Sequence, residues 1–386
     1  MKTSFSFVVP WFGGQMGGAE TAIGNYAKNL SCNGFDVEIL TTCCKSPFSS
    51  WWEDSLPPSE TMWNEIPIKR FRVNKSNKDK YLEASAKQIS GNPLTEDEME
   101  NFFTYGINSD EMIGYIASIC NARNVVVAPY FQALSYSVLM KNPGKISFIP
   151  CLHNEPQFYW TQTKRMLEQA KHIIFLSAAE KAMAIKHYGL TIGRKLIESP
   201  VVGVGVEIEN DSSANHLYQL PDKYFVYVGK KDVNKGVGKL IDWYASFDTA
   251  IPLVFVGGGD NGLIPKSDKF IDFGFVDEEQ KHAIIKNSSA LINLSDNESF
   301  SIVIMEAWLH GVPIIVSADC DVTRQHCVES GGGFWVNENK TFIEKLQCIL
   351  NNNEKSIDMG NRGRNYVQQN YNWHKVMASF IRVFYS

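Results

Sequence analysis

The sequence predicts an α/β protein in which helices cover both faces of mainly parallel sheets. Short apolar runs alternate with helix-like stretches along most of the 386 residues, which is typical of parallel strands joined by helices. A second series of this kind follows the Pro- and Gly-containing loop E-S-P-V-V-G-V-G-V. The chain is also too long for one core of roughly 150 to 200 residues. We therefore expect two α/β domains, 1–198 and 199–371, with a cleft between them.

In the first series, six apolar runs predict strands, and amphipathic segments separate several of them. A helix with 3.6-residue periodicity follows the first strand and ends at Asn33-Gly34. The less regular stretch 45–104 contains T-E-D-E-M-E, which begins like a capped helix. The predicted strands cover residues 6–10, 37–41, 68–73, 125–128, 147–152 and 172–176.

The second series predicts six further strands, so both domains are expected to be Rossmann-like. These strands cover residues 224–228, 253–256, 270–273, 290–293, 313–316 and 333–336. The final segment, N-Y-N-W-H-K-V-M-A-S-F-I-R-V-F-Y-S, is amphipathic. We expect residues 372–386 to form a helix that crosses back to the first domain.

Composition narrows the classes of partner and compartment. A net charge of -5 and a pI near 6.0 give no electrostatic footprint for nucleic acid. The apolar run at the N-terminus is too short for a signal peptide, and no stretch has the 18 apolar residues of a membrane span. The eight cysteines form no C-x-x-C pair. We expect reduced thiols, no bound metal and a cytoplasmic protein.

Glycines follow the first predicted strand and precede its helix. Gly14, Gly17 and Gly18 give a loop through which backbone amides can approach a ligand at a helix N-terminus. The spacing differs from G-x-G-x-x-G, so a nicotinamide cofactor is not expected. As an isolated signal this loop is weak.

Three lysines follow the first strand of the second domain, in V-Y-V-G-K-K-D-V-N-K-G-V. Lys230, Lys231 and Lys235 can neutralise a diphosphate there, and the alternative is an exposed lysine turn. The later segment D-F-G-F-V-D ends another strand, and the backbone at Val276 can pair with the edge of a nucleobase. Ligands of open α/β sheets bind at such strand ends.

Two glutamates bracket an apolar run in D-N-E-S-F-S-I-V-I-M-E-A-W-L-H-G. Glu298 lies in the turn after a strand, and Glu306 lies inside a helix that starts near Ser301. The hydroxyls of Ser299 and Ser301 suit a helix cap, and the helix N-terminus suits a phosphate. If the whole interval were helical, the carboxylates would be about 12 Å apart along the axis. That spacing fits two ends of one extended ligand better than one shared acid–base step.

Five motifs in this order resemble the retaining GT-B glycosyltransferases of family 4. They are G-G-A-E near the N-terminus, L-H-N at 152–154, the G-K-x4-K-G turn, G-F-V-D, and E-x7-E after a strand. The resemblance covers nearly the whole chain. It implies two Rossmann-like domains, with an acceptor bound mainly by the first and a nucleotide-sugar held mainly by the second. It also implies that no cofactor or metal ion takes part.

The resemblance assigns roles residue by residue. Glu298 would bind sugar hydroxyls of the donor and Glu306 its ribose, while His153 would face the reacting sugar. Lys235 and Lys230 would contact the diphosphate, with Lys230 at a position where the family more often has arginine. The remaining donor-binding positions would act through their backbone: Gly14, Gly17, Gly18, Val276, Ser299, Phe300 and Ser301.

The sequence departs from the family pattern in two places. Ser299 and Ser301 stand where the family usually has glycines, and S-A-D-C-D-V-T-R-Q-H-C-V-E-S-G-G-G replaces the usual G-G-x-x-E turn. The departures leave the sugar preference open, and they leave Arg324 and Glu329 without an assigned role.

The expected activity is transfer of a hexose or N-acetylhexosamine with retained anomeric configuration. A UDP-sugar is favoured as donor and a saccharide or lipid-linked saccharide as acceptor, in surface polysaccharide synthesis of the bacterial type. Alternatives are a GT-B sugar-nucleotide epimerase, a phosphorylase, a non-catalytic nucleotide-sugar-binding protein, and a D-x-D metal enzyme using D-C-D at 319–321.

Attachment to the inner face of the plasma membrane is a further expectation that the sequence leaves open. A patch of tryptophans and basic residues between Trp51 and Lys80 can dock on an anionic surface. The alternative is an ordinary solvated face. The sequence contains no signal for the oligomeric state.

Overall fold

A computed structural model describes residues 3–13, 17–75, 77–208 and 220–385. The chain divides into two compact units, Met1–Val204 with Met377–Ser386, and Gly205–Val376. Each unit contains one six-stranded sheet with helices packed on it. This is the α/β architecture that the sequence predicts.

The sheet of the first unit has the strand order β3-β4-β2-β1-β5-β6. All neighbouring strands are parallel except β3 and β4, which form an antiparallel pair at one edge. The strands are β1 Ser4–Val8, β2 Asp36–Thr42, β3 Glu60–Trp63, β4 Ile66–Phe71, β5 Asn124–Val127 and β6 Ser147–Phe148. The inner strands β1 and β5 are largely buried, and β5 is accordingly an apolar run, whereas Ser4 and Ser6 alternate with apolar residues in β1.

Seven helices accompany this sheet in the described residues. They are α1 Gly18–Cys32, α2 Lys78–Ile89, α3 Glu96–Tyr105, α4 Asp110–Ile119, α5 Ala133–Lys141, α6 Thr161–Gln169 and α7 Ala178–Glu198. Helix α1 ends at Asn33 before Gly34, whose φ is +84°, as the sequence predicts. Helix α3 begins with the predicted cap, because the Thr95 hydroxyl accepts the amide hydrogen of Glu98.

The sheet of the second unit is entirely parallel, with the order β12-β11-β10-β7-β8-β9. Its strands are β7 Phe225–Val228, β8 Leu253–Val256, β9 Phe270–Asp272, β10 Ala290–Asn293, β11 Ile314–Ser317 and β12 Gly333–Val336. Its helices are α8 Val237–Ala245, α9 Glu278–Lys286, α10 Ile302–Leu309, α11 Asp321–Ser330, α12 Asn339–Asn351 and α13 Asn353–Asn370. Every predicted strand of this unit is present within one residue at each end.

The last helix, α14 Trp373–Tyr385, returns to the first unit from residue 377 onward. The buried ring of Phe380 lies 6.0 Å from Phe5, 6.1 Å from Phe7 and 4.6 Å from Tyr26, measured between ring centroids. The aromatic side of this helix therefore belongs to the core of the first unit, which confirms the predicted crossing.

Two predicted strands are wrong in extent. Residues 147–152 form only the two-residue strand β6, and residues 172–176 make single bridges, Phe148 with Ile173 and Phe175 with Val201. Both stretches are extended and buried, so their apolar pattern is that of strands although a continuous ladder is missing. The exposed edge strand β3 has no apolar alternation, and the sequence therefore did not reveal it.

The expected aromatic and basic patch divides into tryptophans with internal contacts and basic residues that are mostly exposed, among them Arg72 and Lys75. Trp51 stacks on Trp11 at 5.8 Å, and the Trp52 indole donates to the Tyr105 carbonyl. Lys69 pairs with Glu60 at 3.0 Å. These side chains contribute to packing at the edge of the first unit, whatever else they contact.

Candidate functional site

The order of strands in the second unit reverses between β7 and β10. The chain passes from β7 outward to β8 and β9, then returns to place β10 on the other side of β7. In open α/β sheets this switch point leaves a crevice at the carboxyl ends of the two strands, where ligands bind. Lys230 and Lys235 follow β7, and Glu298 follows β10.

Lys235 and Glu298 meet at this switch point. The Lys235 ammonium donates to a Glu298 carboxylate oxygen at 3.0 Å and to the Asn297 carbonyl at 3.1 Å. Both side chains are partly exposed. The pair presents one positive and one acceptor group side by side, which suits a phosphate next to a polyhydroxylated sugar.

Gly236 allows the turn after β7 to pack against the chain after β10. Its φ is +70°, and a Cβ atom at this position would lie 2.2 Å from the Leu294 carbonyl oxygen. Only glycine fits both the backbone conformation and the contact. The close approach holds Lys235 beside Glu298.

The three lysines of the turn have different environments. Lys231 is buried, and its ammonium donates to both carboxylate oxygens of Asp272 at 2.8 Å. Its charge is therefore used inside the unit, which corrects the expectation that all three lysines line a phosphate site. Lys230 is half exposed and pairs with Asp232 at 2.9 Å. The Asp232 carboxylate also stabilises this turn, because one of its oxygens accepts a hydrogen bond from the Asn234 amide.

Helix α10 starts at Ser301 in an unusual backbone conformation. Ser301 has a φ of +68°, in the left-handed region that favours glycine. Its hydroxyl accepts a hydrogen bond from the Asn293 side chain at 3.2 Å and caps no helix amide. The prediction that this hydroxyl caps the helix is therefore wrong. The first amides of α10 consequently depend on other acceptors.

The residues directly before α10, Ser299 and Phe300, can offer a ligand their backbone amides, because the Phe300 side chain is used in packing. Phe300 is buried, and its ring makes edge contacts with His326 and Tyr371 at 5.6 and 4.9 Å. This anchor fixes the main chain of 299–301 next to Glu298. Ser299 remains partly exposed beside it.

Glu306 lies in the middle of α10 and is nearly buried. The Lys281 ammonium, from α9, donates to a Glu306 oxygen at 2.9 Å and to a Glu278 oxygen at 2.7 Å. Burial lowers the pKa of Lys281, but the adjacent carboxylates of Glu306 and Glu278 raise it further, so that the net shift is upward. Lys281 therefore stays charged, and its hydrogen bond fixes the position of the Glu306 carboxylate.

Two histidines adjoin this ion pair. The Nδ1 atom of His282 and the Nε2 atom of His310 are 3.0 Å apart. Burial lowers the pKa of both rings, that of His310 to about 4. Both imidazoles are therefore neutral near pH 7, with one acting as donor and the other as acceptor.

Sequence reasoning missed Lys281, His282 and His310 as members of the Glu306 environment. The signal available was the spacing alone: Glu278 precedes His282 by four residues, and Glu306 precedes His310 by four. That these two helices face each other is visible only in the folded unit. Val276, by contrast, lies as predicted just after β9, buried beside Asp277, which caps α9.

In the first unit, Gly17 and Gly18 begin α1, whereas Gly14 lies outside the described residues. The Gly17 amide donates to a Glu20 carboxylate oxygen at 2.9 Å, and burial raises the pKa of Glu20 to about 7. Glu20 is the acid of the G-G-A-E motif, and sequence reasoning gave it no role. An anion approaching the Gly17 amide would have to replace it.

His153 follows β6 in the first unit and belongs to a short polar chain. Its Nδ1 lies 3.4 Å from a Glu155 oxygen, and the same oxygen accepts from the Tyr130 hydroxyl. The buried Glu180 carboxylate accepts the amides of Leu152 at 2.7 Å and Leu176 at 2.6 Å. Glu180 therefore fixes the backbone immediately before His153.

The segment that departs from the family pattern is largely engaged in local structure. Arg324 donates to the Ala318 carbonyl at 3.1 Å and pairs with Asp321, and Glu329 accepts from the Tyr366 hydroxyl at 2.8 Å. Among the residues that the structure describes, Asp319 and Asp321 join no cluster of potential metal ligands. The D-C-D triplet thus has no partners for a metal site there.

Comparison with known proteins identifies the second unit. The sequence model of the family "Glycosyl transferases group 1" matches residues 209–366. The chain carries a glycosyl transferases group 1 domain. The matched range contains the residues described above at and near the switch point: Lys230, Lys235, Glu298, Glu306 and Lys281.

Similar proteins extend the likeness beyond the glycosyl transferases group 1 domain. An uncharacterized glycosyltransferase of Methanocaldococcus jannaschii is 23% identical over 253 residues, which are 60% of this chain and 63% of that protein. Sucrose-phosphate synthase from Thermosynechococcus elongatus superposes with a TM-score of 0.68 at 15% identity, over 99% of this chain and 98% of that one. The Anabaena protein HepE, solved with UDP and glucose, superposes with a TM-score of 0.65 at 15% identity, over 99% of each chain.

These superpositions agree with the GT-B fold that the sequence motifs predict. At such low identities they establish the architecture and leave the ligands to be argued from the residues. No helix within the described ranges combines the length and the apolar character needed to cross a membrane.

Proposed function

We propose that this protein is a glycosyltransferase that moves a sugar from a nucleotide-sugar to a hydroxyl acceptor. The observation that carries the proposal is the pair of glutamates after β10, each held by a lysine from another element. Glu298 is paired with Lys235 and Glu306 with Lys281. They lie at the switch point of a glycosyl transferases group 1 domain.

The division of labour follows from the chemistry of each group. Glu298 accepts hydrogen bonds from hydroxyls of the donor sugar, and Glu306 from the ribose hydroxyls. Lys230, Lys235 and the first amides of α10 bind the diphosphate, because cations and a helix N-terminus both stabilise anions. The backbone near Val276 contacts the base. For the first unit, which we propose to bind the acceptor, Gly14, Gly17, Gly18 and His153 remain candidate residues on the strength of the family resemblance alone.

The reaction is proposed to retain the anomeric configuration without a metal ion. The lysines and the amides of 299–302 stabilise the negative charge that grows on the departing nucleotide diphosphate. The acceptor hydroxyl attacks from the same face and passes its proton to a phosphate oxygen of the donor. For His153 we propose the role that the family resemblance implies, which is contact with the reacting sugar.

The proposed donor is a UDP-hexose or UDP-N-acetylhexosamine, and the proposed acceptor is a saccharide or lipid-linked saccharide of a surface polysaccharide. The HepE likeness supports UDP, since that protein was solved with UDP and glucose. Serines at 299 and 301 narrow the sugar pocket compared with glycines. Catalysis on the cytoplasmic side, with peripheral docking on the membrane, completes the proposal.

Thermal-shift screening tests the nucleotide assignment directly. A ligand that binds only the folded state raises the unfolding temperature by an amount that depends on its affinity. We expect UDP and a UDP-sugar to stabilise the protein more than GDP, ADP or their sugars. Glu306→Gln should lose most of the temperature shift that UDP causes. Glu298→Gln should keep the shift by UDP and lose only the additional shift that the sugar of a UDP-sugar causes. Glu344→Gln, at an exposed position of α12, should keep both shifts. No shift with any nucleotide would overturn the proposal.

Product analysis tests the chemistry. With a donor of known configuration, NMR of the product should show the same anomer, and transfer in excess EDTA should be undiminished. An inverted anomer would exclude the proposed mechanism, and loss of transfer in EDTA would exclude a metal-independent one.

A further inference from the structure

Helices α9 and α10 carry the same pair of residue types at the same spacing. Glu278 and His282 are four residues apart on α9, and Glu306 of α10 precedes by four residues His310, the residue that directly follows this helix. Residues at this spacing lie on one face of a helix, one turn apart. The two pairs face each other, since the rings of His282 and His310 have their centroids 5.2 Å apart.

Three of these side chains converge on one point. Single ligand atoms of Glu278, His282 and Glu306 lie within 4.8 Å of one another, and His282 Nε2 is 3.9 Å from a Glu278 oxygen. In a tetrahedral zinc site with bonds of about 2.1 Å, the ligand atoms are about 3.4 Å apart. Closing to that distance needs movement mainly of Glu278, whose side chain is 79% exposed.

His310 orients the imidazole for this purpose. If His282 donates from Nδ1 to Nε2 of His310, its own Nε2 carries a lone pair directed at the carboxylates. A hydrogen bond from the other ring nitrogen is the usual support of a histidine that binds a metal. His310 would thus be a positioning residue and not a ligand.

The convergence point already contains a positive charge. The Lys281 ammonium lies between the two carboxylates, 2.7 Å from Glu278 and 2.9 Å from Glu306. A divalent ion that binds there has to displace the Lys281 ammonium. The Lys281 side chain would then turn toward solvent, on the side where Glu278 is exposed. Carboxylate oxygens and imidazole nitrogens are both ligands of Zn²⁺, and with water as a fourth ligand the three side chains would complete a four-coordinate site.

We propose that Glu278, His282 and Glu306 form a site for a divalent transition-metal ion of the Zn²⁺ class. We also propose that this ion and the nucleotide compete, because both require the Glu306 carboxylate. The second statement rests on the proposed function, whereas the first depends only on the three side chains. The ion would act as an inhibitor and take no part in the transfer.

Metal binding is tested with the full-length protein after EDTA treatment and desalting. Cys32 is exposed and a competing ligand, so all variants carry Cys32→Ser. During titration with Co²⁺, visible absorption bands typical of four-coordinate Co²⁺ should grow and saturate at one equivalent of metal, without a thiolate charge-transfer band. Added Zn²⁺ should displace the Co²⁺ and abolish these bands. Calorimetry with Zn²⁺ gives the affinity.

The proposal predicts that different variants change the affinity for Zn²⁺ in opposite directions. Glu278→Gln and His282→Asn should each weaken Zn²⁺ binding at least tenfold, and His310→Gln about tenfold, while Lys281→Met should strengthen it by removing the competing ammonium. Glu279→Gln, one residue from Glu278 on an exposed face, is the matched control. Equal binding by Glu278→Gln, His282→Asn and the control would overturn the site.

Competition is measured by titrating UDP with and without Zn²⁺. Zn²⁺ should raise the apparent Kd of UDP in the Cys32→Ser protein and leave it unchanged in His282→Asn, which controls for Zn²⁺–UDP complexes. Zn²⁺ binding with no effect on UDP affinity would overturn the competition. Zn²⁺ binding by a protein that binds no UDP would instead overturn the proposed function and leave the metal site standing.

Discussion

At the scale of residues, the glutamates of the site depend on lysines that come from other elements. Lys281 is nearly buried between Glu306 and Glu278, and its charge compensates a carboxylate that would otherwise be costly to bury. The apolar run of α10 tolerates Glu306 for this reason. An acid in such a run indicates that a partner exists, but the sequence does not say which residue it is.

Lys281→Met is therefore expected to impair donor binding. Without the ammonium, Glu306 loses the hydrogen bond that fixes its orientation, so KM for the donor should rise about tenfold, with a smaller change in kcat. Steady-state kinetics in EDTA measure this, with exposed Lys286→Met in the last turn of α9 as control. Equal KM values for the two variants would show that Lys281 does not position Glu306.

At the scale of elements, the predictable and unpredictable features have different physical origins. The four central strands of the second unit, β7, β8, β10 and β11, were predicted within one residue because strands buried on both faces are mainly apolar. The edge strand β3, with an exposed E-T-M-W sequence, carries no such signal. Which strand ends adjoin is set by the sheet order, so the pairing of Lys235 with Glu298 and the burial of Lys231 could not be predicted.

The turn between β7 and α8 offers a test with two neighbouring glycines. Gly236→Ala should destabilise the protein by more than about 1 kcal/mol, because its φ is +70° and the new Cβ would overlap the Leu294 carbonyl. Gly238→Ala meets nothing within 4 Å inside α8 and should stabilise by roughly 0.5 to 1 kcal/mol. Urea unfolding of both variants measures the difference. Effects of the same sign would contradict this account of the turn.

Glu180 links the ends of two extended segments to α7 and makes stability depend on pH. Burial raises its pKa from 4.5 to about 8, although the amides of Leu152, Leu176 and Ser177 lower it. Below pH 4.5 both folded and unfolded chains hold the proton. Between pH 4.5 and 8 the unfolded chain ionises first, so folding stability falls as pH rises.

Glu180→Gln removes this titration. The unfolding free energy of the unsubstituted protein should fall relative to the variant by roughly 4 kcal/mol between pH 4.5 and 8. Urea unfolding at a series of pH values measures it, and other titrating groups cancel in the difference. Glu198→Gln, exposed at the end of α7, should give a curve parallel to the unsubstituted one. A parallel curve for Glu180→Gln would show that Glu180 is ionised throughout.

At the scale of the whole molecule, the chain builds two separate cores, and the first requires its last residues. Phe380 joins Phe5, Phe7 and Tyr26, and the hydroxyls of Thr3 and Tyr385 share a hydrogen bond. The amphipathic pattern of the last segment predicts a helix that covers a core. The crossing to the first unit was predicted from the amphipathic pattern and the length of the segment, although periodicity by itself does not identify a partner surface.

Phe380→Ala is accordingly expected to weaken the first unit and spare the second. Removing a fully buried phenylalanine costs about 3 to 5 kcal/mol, and this ring packs against Phe5, Phe7 and Tyr26 of the first unit. Calorimetry should show that the first unit unfolds at a lower temperature in the variant. The transition that UDP moves to higher temperature should be moved by the same amount as in the unsubstituted protein. Arg382→Ala, exposed on the same helix, should leave both transitions unchanged. If Phe380→Ala abolished the UDP-dependent shift, the result would contradict the proposal that the second unit holds the nucleotide mainly by itself.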